Sequence, residues 1–93
     1  MVNAIVLIQC AKGMVSQAAQ ALADVEGISE VYSVAGQVDL VAIIRVKNND
    51  DLAVIVTGKL QAINGIERTE TLIAFQVFSK HDLESMFSIG LES

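Results

Sequence analysis

The sequence predicts an α+β fold with the chain order β-α-β-β-α-β, a four-stranded antiparallel sheet and both helices on one face. Runs of β-branched residues alternate with two segments whose apolar residues recur at helical spacing. In the central run, VAGQVDLVAIIRV, the Gly36 turn is suited to join two antiparallel strands. The pair Gly27-Ile28 recurs as Gly65-Ile66, which indicates two similar strand-helix-strand units. Such units interleave into a ferredoxin-like sandwich.

The first half of the chain predicts a strand, a helix and a second strand. Ala4 to Cys10 is almost continuously apolar, so we expect a central strand buried on both faces. The next segment has one apolar stripe at helical spacing, formed by Val15, Ala18, Ala19 and Leu22. Gly27 is placed to end this helix in the left-handed conformation, and Ile28 to Ala35 follows as the second strand.

The second half repeats this order. Leu40 to Val46 predicts the third strand, and Lys47 to Asp51 supplies residues that cap the start of a helix. That helix is expected to run from Asp50 or Asp51 to Ile63 with a buried stripe of Leu52, Val56, Leu60 and Ile63. Ile66 to Phe78 predicts a long fourth strand that places on one face Thr69, Thr71, Ile73, Phe75 and Val77.

The last residues predict a separate element. Residues 1–78 form the ferredoxin-like domain in this interpretation, and residues 79–93 form a short amphipathic tail helix. The residues at helical spacing in it are Leu83, Met86, Phe87, Gly90 and Leu91. The stripe predicts a lid on the core of the protein's own dimer or, alternatively, a docking site for a different protein.

The composition predicts self-association. Hydrophobic residues make up 53% of the chain and charged residues only 18%, which is more apolar surface than one small core hides. Two helices cover only one face of the sheet, so the other face is expected to pack against a second copy. The predicted assembly is a sheet-to-sheet dimer of the dimeric α+β barrel type.

Charge and cysteine content exclude several classes of function. The net charge is -5, and no Lys/Arg cluster is suited to neutralise several phosphates, so direct nucleic-acid binding is not expected. A single cysteine excludes an internal disulfide. The start, MVNAIVLIQC, is unlike a signal peptide, and the apolar runs are far shorter than a membrane span. We therefore expect a cytoplasmic protein without membrane contact.

Few side chains indicate chemistry. Asp39 stands at a strand entrance as either a turn residue or a ligand acceptor, and it pairs with Glu67 or Glu70 only if the fold joins them. Cys10 ends an apolar strand and is expected to be inert packing. His81, the one histidine, lies in a polar segment without a second metal ligand at suitable spacing. The sequence therefore predicts no catalytic residue, no cofactor and no metal.

The chain resembles a known family through motifs that lie mainly in its second half. The hairpin VAGQVDLVAIIRV, the helix end KLQAINGI and the strand ERTETLIAFQVF together resemble the effector-binding domain of Lrp/AsnC transcriptional regulators, over about Val2 to Phe78. The matching features are a glycine with a following aspartate, a Leu-x-x-Ile-x-Gly-Ile helix end, and Thr-x-Thr in the fourth strand. In this sequence they are Gly36 and Asp39, then Leu60, Ile63, Gly65 and Ile66, then Thr69 and Thr71.

The resemblance implies an amino-acid effector site and a larger assembly. It places on the pocket wall Gly36, Gln37, Val38 and Asp39, with Thr69 and Thr71 as hydroxyl donors. Asp39 would accept from the effector's ammonium group. The family's dimers assemble further, here to a tetramer, octamer or decamer. Since the sequence starts at the first strand, it looks like a stand-alone effector module that does not bind DNA. Such a module would act by binding an effector, by co-assembling with a full-length Lrp/AsnC-type regulator, or by both.

Two other interpretations share this chain order. One is a small enzyme of the dimeric α+β barrel type, such as a monooxygenase or isomerase, which usually needs a polar or aromatic cavity between sheet and helices. The other is an amino-acid sensor of the ACT type, whose ligand more often lies near the first strand-helix loop. Substitution at Lys12 or Gly13, rather than at Asp39, would then abolish binding.

Overall fold

The structure is a computed structural model that describes residues 1–78 and residue 80. It contains a four-stranded antiparallel sheet in the order β2-β3-β1-β4. The elements are β1 (Val2–Cys10), α1 (Val15–Ala23), β2 (Ile28–Ser33), β3 (Leu40–Val46), α2 (Asn49–Val54) and β4 (Ile66–Ala74). The predicted α+β order is confirmed. The predicted tail helix, residues 79–93, and His81 within it lie outside the described residues.

The core lies between the helices and one face of the sheet. Alternate residues of β1, Ala4, Val6 and Ile8, are fully buried, and β3 places Ile44, Ala42 and Leu40 opposite them. Cross-strand partners share a face, so these six side chains form one apolar layer. Ala18 and Leu22 of α1 complete it from the helix side. The predicted stripe of α1 is therefore confirmed, with Val15 and Ala19 partly buried against the same core.

The opposite face of the sheet is uncovered in the single chain. We call it the open face and define it by its apolar side chains, which alternate with the core residues: Ile5, Leu7, Tyr32, Val41, Ile43 and Leu72. Three of them remain substantially exposed, at 37% for Ile5, 48% for Tyr32 and 44% for Leu72. The two central strands thus carry apolar residues on both faces, as predicted, although only one face is covered within the chain.

The second helical segment departs from the predicted regular helix. Asn48 caps it, because its side-chain oxygen accepts from the Asp51 N–H at 2.8 Å. After α2 the chain widens into a π-helical turn (Ile55–Lys59), in which the Leu60 N–H donates to the Ile55 carbonyl, and a 3-10 turn (Leu60–Ala62) follows. The predicted stripe missed Ile55, which is buried, whereas Val56 is only partly buried.

Two glycines hold this segment close to its neighbours. Gly27 has φ +99°, and a Cβ there would lie 2.6 Å from Ile55 Cδ1. Gly65 has φ +94°, and a Cβ there would lie 2.8 Å from the Met14 Cβ. Both positions therefore require a residue that tolerates positive φ and adds no side chain. The predicted positive φ of Gly27 is present, but α1 already ends at Ala23, so Gly27 belongs to the turn before β2 rather than to the helix end.

Two strands end earlier than predicted. β2 ends at Ser33 rather than Ala35, where Ser33 pairs with the first residue of β3. β4 ends at Ala74 rather than Phe78, because Ala74 pairs with Asn3 and β1 begins only one residue before that. The chain beyond Ala74 has no further β1 residues to pair with, and Phe75 is fully exposed. The proposed face shared by residues 69 to 77 therefore holds only within β4.

Candidate functional site

The β2–β3 turn is fastened to the end of β1. The Asp39 N–H donates to the Ile8 carbonyl at 2.9 Å, and the Cys10 N–H donates to Asp39 Oδ2 at 2.8 Å. The Gln9 side-chain amide donates to the Gln37 carbonyl at 2.9 Å. These three bonds join residues about thirty positions apart in sequence. They hold the turn over the end of the sheet where β1 finishes and β4 begins.

Asp39 is half-buried and serves as a turn residue. One carboxylate oxygen accepts the backbone N–H of Cys10, and its own carbonyl accepts from the Val34 N–H at 3.0 Å. The sequence left two roles open for Asp39, a turn residue or a ligand acceptor. These hydrogen bonds support the role of a turn residue. A role in contacting a ligand stays a prediction.

A cleft of about 500 Å³ opens beside this turn. We call it the hairpin cleft, and its lining residues come from β1, the turn and β4: Leu7, Gln9, Gln37, Val38, Arg68, Thr69 and Glu70. Its volume lies within the range of small-molecule sites. The lining combines apolar side chains with amide, hydroxyl and charged groups, so it offers both shape and polar recognition.

The structure brings part of the predicted site together. Gln37, Val38 and Thr69 line the hairpin cleft, whereas Gly36, Asp39 and Thr71 do not. Gly36 is an exposed residue of the turn, and Asp39 points one oxygen at Cys10 instead. Thr71 pairs with the buried Val6 and so lies on the helix-covered face of the sheet. Thr69 pairs with the equally buried Ile8, so both threonines stand on the same face of β4, and of the two only Thr69 also borders the cleft.

The sequence-based prediction missed two charged residues of the lining, Arg68 and Glu70. Arg68 pairs with Gln9 and Glu70 pairs with Leu7, so both stand on the open face, alternating with the two threonines. Their signal was the period-two alternation of ERTET, which places Arg68 and Glu70 on the face opposite the threonines. A guanidinium and a carboxylate in one cleft can bind the carboxylate and ammonium groups of a zwitterion.

The charged groups that act on the Cys10 thiol are carboxylates rather than cations. Burial raises the pKa of the Cys10 thiol, and the negative charges of Asp39 and Glu67 raise this pKa further. The structure thus brings Asp39 and Glu67 near one thiol. A raised pKa disfavours the thiolate, which is the reactive form, so this environment does not activate Cys10 as a nucleophile.

Residues 1–78 contain few candidates for a metal site or a membrane-spanning helix. No group of three or more His, Cys, Asp or Glu side chains is arranged to hold a metal ion within that range. In the same part of the chain, no helix is both long and apolar enough to cross a membrane. On the open face, the Tyr32 hydroxyl donates to the Glu30 carboxylate, and this bond together with the negative charge raises the pKa of Tyr32.

Comparison with protein families gives a match over most of the chain. The model of the Lrp/AsnC ligand binding domain matches residues 3–83. An uncharacterized HTH-type transcriptional regulator of Pyrococcus abyssi is 36% identical over 59 residues, which are 63% of this chain. The chain spans only 39% of that regulator's length.

Solved structures share the fold. The Thermus thermophilus protein TTHA0845 superposes with a TM-score of 0.80 at 40% identity, covering 86% of this chain and 100% of that one. A feast or famine regulatory protein from M. tuberculosis, complexed with L-methionine, superposes with a TM-score of 0.70 at 24% identity. That match covers 86% of this chain and 54% of the regulator, so the chain corresponds to about half of it.

Proposed function

The chain belongs to the Lrp/AsnC ligand-binding domain family, and on this premise we propose that it is a non-catalytic module that binds an amino-acid effector and oligomerises. The observation that carries the proposal is the hairpin cleft, in which Arg68 and Glu70 offer opposite charges beside apolar and amide groups. A free amino acid is a zwitterion with a side chain, and this lining provides a partner for each of its parts.

The lining suggests how the effector would be held. Arg68 would take the effector's carboxylate through its planar guanidinium fork, and Glu70 would accept from its ammonium group. Leu7 and Val38 would contact an apolar side chain, and Thr69 and the Gln37 amide would add hydrogen bonds. The M. tuberculosis regulator of this fold was crystallised with L-methionine, which is consistent with an apolar amino acid as the effector class.

The predicted residues outside the lining would act on the cleft indirectly. Asp39 fastens the turn through Cys10, so it would fix the position of Gln37 and Val38. Gly36 belongs to the same turn, and Thr71 lies two residues along β4 from Thr69. Under this proposal they position the cleft, and a second subunit would bring further groups to it.

Oligomerisation is proposed from the open face. Ile5 lies at its centre between Ile43 and Leu72, and all three are apolar and at least partly exposed in the single chain. Burying apolar surface is favourable by about 25 cal/mol per Å², so packing against a second open face would stabilise the fold. A sheet-to-sheet dimer would also contain two hairpin clefts, one from each subunit. Such dimers would associate further into a tetramer, octamer or decamer.

The proposal extends to the cellular role. The curated relatives are described as transcriptional regulators, and this chain spans 39% of the length of the P. abyssi protein. We propose that the module modulates a full-length Lrp/AsnC-type regulator in the cytoplasm by co-assembly. Its net charge of -5 opposes direct contact between this domain and nucleic acid.

The site is tested by calorimetric titration of the protein with each of the twenty amino acids. Arg68→Gln and Glu70→Gln remove one charge each from the cleft and should weaken the binding of the preferred amino acid at least tenfold. Lys12→Gln is the matched control, because Lys12 is exposed and lies outside the cleft. Equal affinity in all three variants would exclude the hairpin cleft, whereas loss only in Lys12→Gln would support the ACT-type site at the first loop.

A further inference from the structure

A second cleft of about 500 Å³ lies at the opposite end of the sheet. We call it the basic cleft, and it is formed by the start of β2, the end of β3 and the second helical segment: Glu26, Gly27, Arg45, Val46, Lys47, Asp51, Val54, Ile55 and Lys59. The end of β3 pairs with Val2, whereas the hairpin cleft includes Leu7 and Gln9. Several residues of strand, or roughly 20 Å, separate the two clefts.

Positive charge is concentrated in the basic cleft. Arg45, Lys47 and Lys59 are three of the six basic residues of the whole chain, whereas Glu26 and Asp51 are only two of its eleven acidic ones. The lining therefore has a formal net charge of +1 within a chain of net charge -5. Glu26 and Asp51 compensate two of the three cations, which leaves one positive charge in the cleft that a bound anion would compensate.

The irregular helix shapes this cleft. Asp51, Ile55 and Lys59 follow one another at four-residue spacing, and an α-helix would rotate each successive member further around its axis. The π turn (Ile55–Lys59) accommodates more residues per turn and so turns Lys59 back toward the face that carries Asp51. π turns are frequent at functional sites. The departure from a regular helix thus keeps a cation on the cleft wall.

A glycine allows the floor of the cleft to pack closely. At Gly27, a Cβ would lie 2.6 Å from Ile55 Cδ1 and 3.0 Å from Val46 Cγ1, and all three residues line the cleft. Any side chain at this position would therefore occupy space between the end of β3 and the second helical segment. The absence of one lets Val46 and Ile55 pack directly against the Gly27 backbone, and these three residues form the apolar part of the lining.

From these features we propose that the basic cleft binds a small anionic metabolite through a carboxylate or phosphate group. Arg45 provides a planar fork suited to either group, and Lys47 and Lys59 add point charges. Glu26 and Asp51 would accept hydrogen bonds from hydroxyl or amino groups elsewhere on the ligand. This site is separate from the hairpin cleft and does not depend on the amino-acid proposal.

The test is an NMR titration of the full chain at constant ionic strength with two probes, inorganic phosphate and succinate. We expect saturable shifts of the Gly27, Val46 and Lys59 amides with at least one probe. The double variant Lys47→Gln/Lys59→Gln should weaken this binding at least tenfold. The control Lys12→Gln/Lys80→Gln changes the net charge equally at exposed positions outside the cleft and should retain it.

Each outcome decides the proposal. Tighter saturation by phosphate supports a phosphate-bearing ligand, and tighter saturation by succinate supports a carboxylate. Shifts that do not saturate with either probe would overturn the proposal, because they indicate only general screening. It would also be overturned if the two double variants responded alike. Arg45→Gln provides an independent variant, since it changes the cleft from the strand side rather than from the helix side.

Discussion

Replacing Asp39 by alanine removes the bond that fastens the β2–β3 turn to β1. In the native chain, Asp39 Oδ2 accepts the half-buried Cys10 N–H at 2.8 Å. The two backbone bonds of Asp39, to Ile8 and Val34, do not use the side chain and remain available in the variant. Asp39→Ala therefore leaves one part-buried backbone donor without its acceptor, while most of the turn is preserved.

The expected cost is about 1–3 kcal/mol of the free energy of unfolding, the usual penalty for such a donor. For a domain of this size, each 1 kcal/mol lowers Tm by roughly 4–8 °C. The assay is urea unfolding followed by circular dichroism at fixed protein concentration, because assembly makes stability depend on concentration. Asp39→Asn is the matched control: its amide oxygen still accepts the Cys10 N–H, so it should lose less than half as much. Equal stability of wild type and Asp39→Ala would refute the structural role of this bond.

Amino-acid affinity of the same two variants separates the roles of Asp39. If Asp39 only positions the turn, Asp39→Asn should retain most of the affinity, since the bond to Cys10 survives. If its charge contacts the effector's ammonium group, Asp39→Asn should lose about 1–3 kcal/mol of binding free energy, as Asp39→Ala would. Calorimetric titration with the preferred amino acid measures both.

Three further predictions concern a glycine, the thiol and the open face. Gly27→Ala should lower the free energy of unfolding by more than about 1 kcal/mol, given its φ of +99° and the 2.6 Å approach to Ile55, whereas Gly58→Ala, with no atom near its Cβ, should not; equal urea midpoints would contradict this. Cys10 should react with iodoacetamide with a pH midpoint above that of a free thiol, and Asp39→Asn should lower the midpoint because one of the negative charges is removed; a midpoint below the free value would be inconsistent with the raised pKa. Ile5→Lys should convert the assembly to monomers in sedimentation, while Lys12→Gln leaves it unchanged; an unaltered assembly in Ile5→Lys would exclude the open face as the interface.

Much of the fold was predictable because its elements have strong local signals. β1 and β3 are rich in β-branched residues, α1 has one clear apolar stripe, and Gly27 and Gly65 mark the turns that precede β2 and β4. Element ends were less predictable since they depend on pairing. β4 ends at Ala74 because β1 starts at Val2, a constraint that lies in another part of the chain.

The second helical segment shows where spacing alone fails. Regular helical spacing from Leu52 allows either Ile55 or Val56 in the core, and the prediction selected Val56, whereas the structure buries Ile55 more deeply and continues into a π turn. A single change of hydrogen-bond pattern shifts every later position around the helix axis. No residue type in the segment IVTGK requires that change, so the sequence offered no signal for it.

The candidate site was predicted in part for a similar reason. Gln37, Val38 and Thr69 were identified from the motif that carries the family resemblance. Arg68 and Glu70 were overlooked because the motif emphasises the threonines, although alternation along β4 places the charged residues toward the open face. The strand period thus carried information about the site that the motif did not.

The central claim is that this chain is an oligomeric module that binds an amino acid. Native mass spectrometry of the purified protein, alone and with each of the twenty amino acids, measures subunit number and bound mass together. The proposal predicts dimers or larger even-numbered assemblies that gain one molecule of a particular amino acid per subunit. A monomer, or an assembly that gains none of the twenty, would contradict it.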